Sequence, residues 1–138
     1  MSTRADNITQ IAKIPPLYSD IDINLTPHPI TGDLVRLVNV TSIQQSIRSL
    51  IATNYGERFY RRNIGGNVRA SLFNPNDVIA QEDIIYSITN TIQQGEPRVS
   101  IINVSATSDL ESIAVNVVFM IINIRQITNL TVILQRVR

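Results

Sequence analysis

The chain has 138 residues, 43% hydrophobic and 17% charged, with a formal net charge of +1 at pH 7, a balance that fits one globular domain and excludes a disordered chain. No apolar run reaches the ~18 residues of a membrane span, since Asn116 and Asn123 interrupt the most apolar stretch, and the lack of cysteine removes disulfide frameworks and thiolate metal sites. The opening residues, Met1 to Asp6, lack the charged-then-apolar layout of a secretory signal, which predicts a cytoplasmic product, and so small a net charge points to neither nucleic acid nor membrane.

Residues 1–33 read as an extended N-terminal arm. Pro15-Pro16, Pro27-His28-Pro29 and Gly32-Asp33 break any helix or central strand, while Ile14, Leu17, Ile21, Ile23 and Leu25 predict that the arm docks onto something. Residues 34–138 read as a single α+β domain. Leu34 to Val40 is a short strand. Thr41-Ser42-Ile43-Gln44 has the form of a capping box and opens a helix with an apolar stripe of Ile43, Ile47, Leu50 and Ile51. Gly56 is placed to end it as a left-handed cap. Glu57 to Ala70 is a polar loop containing four arginines, after which Leu72-Phe73 re-enters the core. A second helix runs from about Asp77 to Gln94, capped by Asn76 or Asp77 and stopped by Gly95. Its buried face is Val78, Ile85, Ile88 and Ile92, with Ile84 beside them.

The last third changes to period two. Val99 to Ala106 is a strand, Thr107 to Leu110 a turn, and residues 112–122 a long strand. On that strand Ile113, Val115, Val117, Phe119 and Ile121 share one face, and Ala114, Asn116, Val118, Met120 and Ile122 the other. Leu130 to Val137 is a final strand. Two main helices packed on a small antiparallel sheet, a C-terminal three-strand meander, give an α+β fold. A strand apolar on both faces predicts a second cover, either the arm or another chain.

Eleven of the twelve basic residues are arginine, Lys13 being the exception. The planar guanidinium fork suits interfaces, and lineage bias explains the count equally well. Glu96-Pro97-Arg98 lies between the second helix and the meander. Pro97 fixes its own φ and keeps Glu96 out of the helical region, so the triplet reads either as a rigid acid–base corner or as a simple helix stop.

Taken in order, Tyr18-Ser19-Asp20-Ile21-Asp22, Gly56-Glu57-Arg58 with Gly65 nine residues on, and Glu96-Pro97-Arg98 give the chain a resemblance over roughly residues 17–138. It resembles the baseplate wedge protein family of contractile-tailed bacteriophages, shared with type VI secretion baseplates and often labelled lysozyme-like. The motif positions are Tyr18, Asp20, Asp22, Gly56, Arg58 and Gly65. The resemblance implies a structural subunit of the virion's tail baseplate, assembled in the host cytoplasm, without cofactor or metal. It implies that Glu96, Pro97 and Arg98 bind the core helical bundle of the wedge. It also implies that the meander templates the first sheath ring by strand exchange with sheath subunits. The chain would be a monomer in isolation and present in six copies per baseplate. One departure stands out: Arg62 occupies the place, three residues before Gly65, where the family usually has proline. Arg58-Phe59-Tyr60-Arg61-Arg62 is thereby unusually basic and aromatic, which fits a protein contact better than nucleic acid.

Two other readings are a peptidoglycan-cleaving enzyme and a plain protein-interaction adaptor. Glycoside hydrolysis needs two carboxylates about 5–9.5 Å apart, one with a raised pKa. Glu82 and Asp83 are adjacent, which suits a helix end, and Asp109 and Glu111 flank a turn. Glu57 and Glu96 each neighbour an arginine, Arg58 and Arg98, which favours the ionised form and spoils a general acid. His28, the sole histidine, sits between two prolines with no second ligand nearby in sequence. No nucleophile elbow is present, Gly65-Gly66 lacks the lysine of a phosphate loop, and Tyr18, Tyr55, Tyr60 and Tyr86 are too dispersed for a stacking platform.

Overall fold

The computed structural model describes residues 16–66, 68–71, 78–109 and 112–135. The order of elements is β1 (Ser19–Ile21), β2 (Arg36–Val38), α1 (Val40–Ala52), α2 (Val68–Ser71), α3 (Val78–Gly95), β3 (Val99–Ser108), β4 (Ser112–Ile121) and β5 (Gln126–Gln135). This is the expected α+β arrangement: two main helices on a three-stranded antiparallel meander of order β3-β4-β5. Ten residues per strand make each about 33 Å long.

Strand β4 organises the core. Its inward residues Ile113, Val115, Val117, Phe119 and Ile121 are all at most 2% exposed. They pack with Ile43, Ile47 and Ile51 of α1 and Ile84, Ile88 and Ile92 of α3 in one cluster. The buried row of α3 is therefore 84/88/92, a strict i, i+4 ladder, with Ile85 only half-buried at its flank. Ile88 and Ile92 are buried as expected, while Ile84 takes the place expected for Ile85; the side chain of Val78 lies outside the described residues, as do Asn76, Asp77, Leu72 and Phe73.

Several expected boundaries move. β5 begins at Gln126, four residues before Leu130, because Ile122 to Arg125 turn tightly enough for the Arg125 N–H to reach the Ile121 carbonyl at 2.7 Å. β3 continues through Thr107 and Ser108, and the turn closes where the Asp109 N–H meets the Ser112 carbonyl at 2.8 Å. A bulge interrupts β3 between Ile101 and Asn103.

The start of α1 differs for a physical reason. The expected Thr41–Gln44 capping box does not form. Asn39 stands at the N-cap with φ 49° and makes no side-chain cap. Its Oδ1 instead accepts the N–H groups of Leu17 at 3.0 Å and Tyr18 at 3.3 Å. The Thr41 hydroxyl bonds back to the Val38 carbonyl at 2.9 Å, and Gln44 reaches across to the Asn129 carbonyl at 3.1 Å. The helix ends at Thr53 rather than Gly56, whose φ of 84° serves the turn beyond.

The β1–β2 hairpin, with Asp20 opposite Leu37, packs on α1. Gln45 fastens it in strand-like fashion: its Oε1 accepts the Ile23 N–H at 3.0 Å and its Nε2 donates to the Ile21 carbonyl at 2.8 Å. Residues 16–38 thus lie on the helical side of the molecule. On the outer face of the meander Ala114, Asn116, Val118 and Met120 are half-buried, and Ile127 and Ile133 are each 64% exposed.

Candidate functional site

The end of α3 is pressed against α1 at Gly95. A Cβ there would meet Leu50 Cδ2 at 2.7 Å, so only glycine allows this approach without displacing the leucine. The close contact brings Ser46, one helical turn before Leu50, beside Glu96. Pro97 and Arg98 then turn the chain into β3, and the Arg98 carbonyl accepts the Ile122 N–H at 3.1 Å. Three separate segments meet at this corner.

Glu96 points inward and is 3% exposed. Arg98 grips it bidentately, Nε to Oε1 and Nη2 to Oε2, both at 2.5 Å, and the Ser46 hydroxyl donates to Oε2 at 2.7 Å. Burial by itself pushes the carboxyl pKa up; the hydrogen bonds from Arg98 and Ser46 with the arginine's charge outweigh it, and the net shift is downward. Arg98 is raised in turn, first by its hydrogen bond to Glu96. Its guanidinium lies 5.1 Å from the ring centroid of Tyr18, whose hydroxyl accepts from Asn123 Nδ2 at 2.5 Å. As the buried member of the pair, the Glu96 carboxylate bonds Arg98 and Ser46 within the chain. Pro97 is exposed and the Arg98 side chain 35% exposed, so these two form the outward surface.

The motif positions separate into three places. Tyr18 belongs to the corner. Asp22 holds the turn after β1, accepting from the Thr26 hydroxyl at 2.5 Å and the Asn24 N–H at 3.2 Å, which lower its pKa. Asp20 is exposed and accepts the N–H of Ile21 at 2.8 Å. Gly56, Arg58 and Gly65 belong to the loop after α1. Gly65 is needed because a Cβ would lie 2.7 Å from the Asn54 carbonyl oxygen, and its φ is 133°. Glu57 closes the same loop by accepting the Asn54 N–H at 2.8 Å. Arg58 projects into solvent and makes no ion pair among the described residues.

Sequence reasoning missed Ser46, Asn39, Gln45 and Asn123. Ser46 carried a faint signal as a hydroxyl one residue from Ile47 at the edge of an apolar stripe. Asn39 and Asn123 each stand between two apolar residues and Gln45 follows another glutamine, and only tertiary contact marks their roles.

An open groove of about 460 Å³ lies between the hairpin and α1, lined by Asp22, Leu37, Gln44 and Arg48 among others. Among the described residues no three His, Cys, Asp or Glu side chains come close enough to hold a metal ion, and no helix is long and apolar enough to cross a membrane.

A family model described as baseplate wedge protein gp25 matches residues 39–126, well over half of the chain. The chain belongs to this family. No protein with a curated description matches the sequence. Three of the solved structures that share the fold are similar to this chain as follows. One is a candidate tail lysozyme from Geobacter sulfurreducens, 19% identical with a TM-score of 0.64 over 70% of this chain and 89% of that one. A second is a chain of the anti-feeding prophage baseplate, 20% identical with a TM-score of 0.60 over 86% and 85%. The third, from the postcontracted baseplate of pyocin R2, is 14% identical with a TM-score of 0.51 over 80% and 97%.

Proposed function

We propose that the chain is a non-enzymatic structural subunit of a contractile-tail baseplate, and family membership is the observation that carries this reading. Its work is positional. Pro97 and Arg98 form the surface that docks on the core helical bundle of the wedge, while Glu96, Ser46 and Tyr18 hold the guanidinium in place. Fixing a long cation before docking reduces the ordering cost of association.

The second contact is a strand edge offered to a sheath subunit. The bulge in β3 makes its edge irregular, whereas β5 pairs with β4 without a break over ten residues. The Asn129 carbonyl faces away from β4, since Gln44 reaches it from α1. Alternation then directs the N–H groups of Thr131 and Ile133 to the same open edge, a row suited to strand addition. The anti-feeding prophage baseplate was solved with six-fold symmetry imposed, and the reading extends to six copies here.

The enzyme reading finds less support. The most buried carboxylate among the described residues, Glu96, has its pKa lowered, the opposite of what a general acid requires. Clearing in a peptidoglycan zymogram by the purified chain would overturn the structural reading.

Two variants separate the two contacts. Glu96→Gln with Arg98→Gln exchanges the ion pair for an amide pair of similar shape, and should remove co-purification with wedge proteins while the monomer stays folded. Thr131→Pro deletes one outward N–H from an edge, which such a strand tolerates. It should leave wedge binding intact and block sheath growth in negative-stain images. Normal particles from both variants would remove the basis for both contacts.

A further inference from the structure

A third surface lies apart from the corner and from β5. The loop from Tyr55 to Ile64 is closed at its base by three contacts. The Gly56 N–H donates to the Arg62 carbonyl at 3.1 Å, the Glu57 carboxylate accepts from Asn54, and Gly65 passes in contact with the Asn54 carbonyl. Beyond that base the tip stands free. Phe59 is 89% exposed and Tyr60 is fully exposed, a state that a folded chain rarely gives two adjacent large aromatics. Arg58, Arg61 and Arg62 are also exposed, and none makes an ion pair among the described residues. The tip wraps a hollow of about 500 Å³ lined by Phe59, Tyr60, Arg61, Arg62, Asn63 and Ile64.

We propose that this loop is an independent docking element that takes an acidic segment of a partner protein, with carboxylates on Arg61 and Arg62 and apolar groups on Phe59 and Tyr60. Pinning at the base means little loop entropy is lost on binding. Guanidinium forks pair bidentately with carboxylates, and rigid aromatics beside arginine are the residues that dominate binding energy at interfaces. The single acid of the tip, Glu57, is held at the base by Asn54, so the hollow presents only positive charge. Nucleic acid is the poorer occupant. Three arginines neutralise at most three phosphates, a log–log salt slope of only about −2 for a single strand. A chain with net charge +1 adds no wider field.

The test places the photoreactive p-benzoylphenylalanine at position 60 of the full chain in the cells that produce it, and identifies the adduct by mass spectrometry. The expected adduct is a protein whose crosslinked peptide carries net negative charge. Arg61→Glu with Arg62→Glu should reduce its yield by at least about tenfold, corresponding to loss of a charge-paired contact. Converting the acids of the crosslinked peptide to lysine should restore it. Arg61→Lys with Arg62→Lys keeps the charge and removes the fork, so the yield should fall by less. An adduct with nucleic acid, an adduct with a neutral or basic peptide, or no adduct at all overturns the proposal. An acidic partner absent from purified tail particles would sustain the loop assignment and count against the baseplate reading instead.

Discussion

Arg98 joins parts of the chain that are far apart in sequence: Glu96 beside it, Ser46 of α1 through that carboxylate, and Tyr18 of the arm across its face. The two members of the pair are not equivalent, because the acid is the buried one. Arg98→Ala leaves a buried carboxylate with only Ser46 as partner and should cost about 3 kcal/mol at pH 7, whereas Glu96→Gln leaves a partly solvated arginine and should cost about 1–2 kcal/mol. Urea unfolding measures both. Both penalties shrink in acid, but over different pH ranges. Glu96 has a lowered folded pKa, so its contribution is complete above the ordinary value of 4.5 and is lost as pH falls through the folded value. The gap between wild type and Glu96→Gln should therefore be constant from pH 7 to about 5 and narrow as pH falls below the ordinary value. In Arg98→Ala the same carboxyl keeps its burial without its partner, so its penalty should shrink as pH falls from 7. Equal costs at pH 7, or a gap that widens in acid, would contradict this asymmetry.

Among the elements, β4 was the most legible, because a run so rich in β-branched residues favours a strand, and the five residues read as one face are the five that are buried. The corner was legible as a corner but not in its direction. Proline fixes a turn locally, yet which side chain faces inward depends on Ser46, fifty residues away. The capping box failed for a related reason: Asn39 turns its amide to the arm 22 residues upstream, and the tertiary contact overrides the local preference. Gln45 was invisible to pattern reading, since a glutamine on a helix surface normally faces water. Its two bonds hold the hairpin to α1, so Gln45→Ala should leave the melting of the core within about 1 kcal/mol of wild type. Hydrogen exchange of the Ile23 amide should meanwhile accelerate by roughly tenfold, the equivalent of one lost hydrogen bond. Unchanged protection at Ile23 would show that the hairpin is held by other contacts.

Across the whole molecule the two faces of the meander differ in kind. The inner face is closed by α1 and α3. The outer face, running over Ser100, Asn103 and Ser105, then Ala114, Asn116, Val118 and Met120, then Ile127, Asn129, Thr131 and Ile133, carries no charged residue. Near its centre, Asn116 Oδ1 is buried without a hydrogen-bond partner. Period-two reading identified both faces as largely apolar, but only the packing shows that the hairpin sits on the helical side. Ile127→Lys with Ile133→Lys should shift stability by less than about 1 kcal/mol, as exposed positions do, while Val117→Lys on the inner face should unfold the chain. Thermal melts followed by circular dichroism distinguish these outcomes.

The bond between Tyr18 and Asn123 spans 105 residues. During synthesis the arm leaves the ribosome well before the tyrosine's final neighbour is translated. Until the β4–β5 turn emerges, the ring has no amide to receive and the guanidinium beneath it has no completed seat. The newborn chain thus acquires its finished corner only after that turn has emerged, and a ribosome stalled before it holds a chain whose Arg98 seat is not yet built.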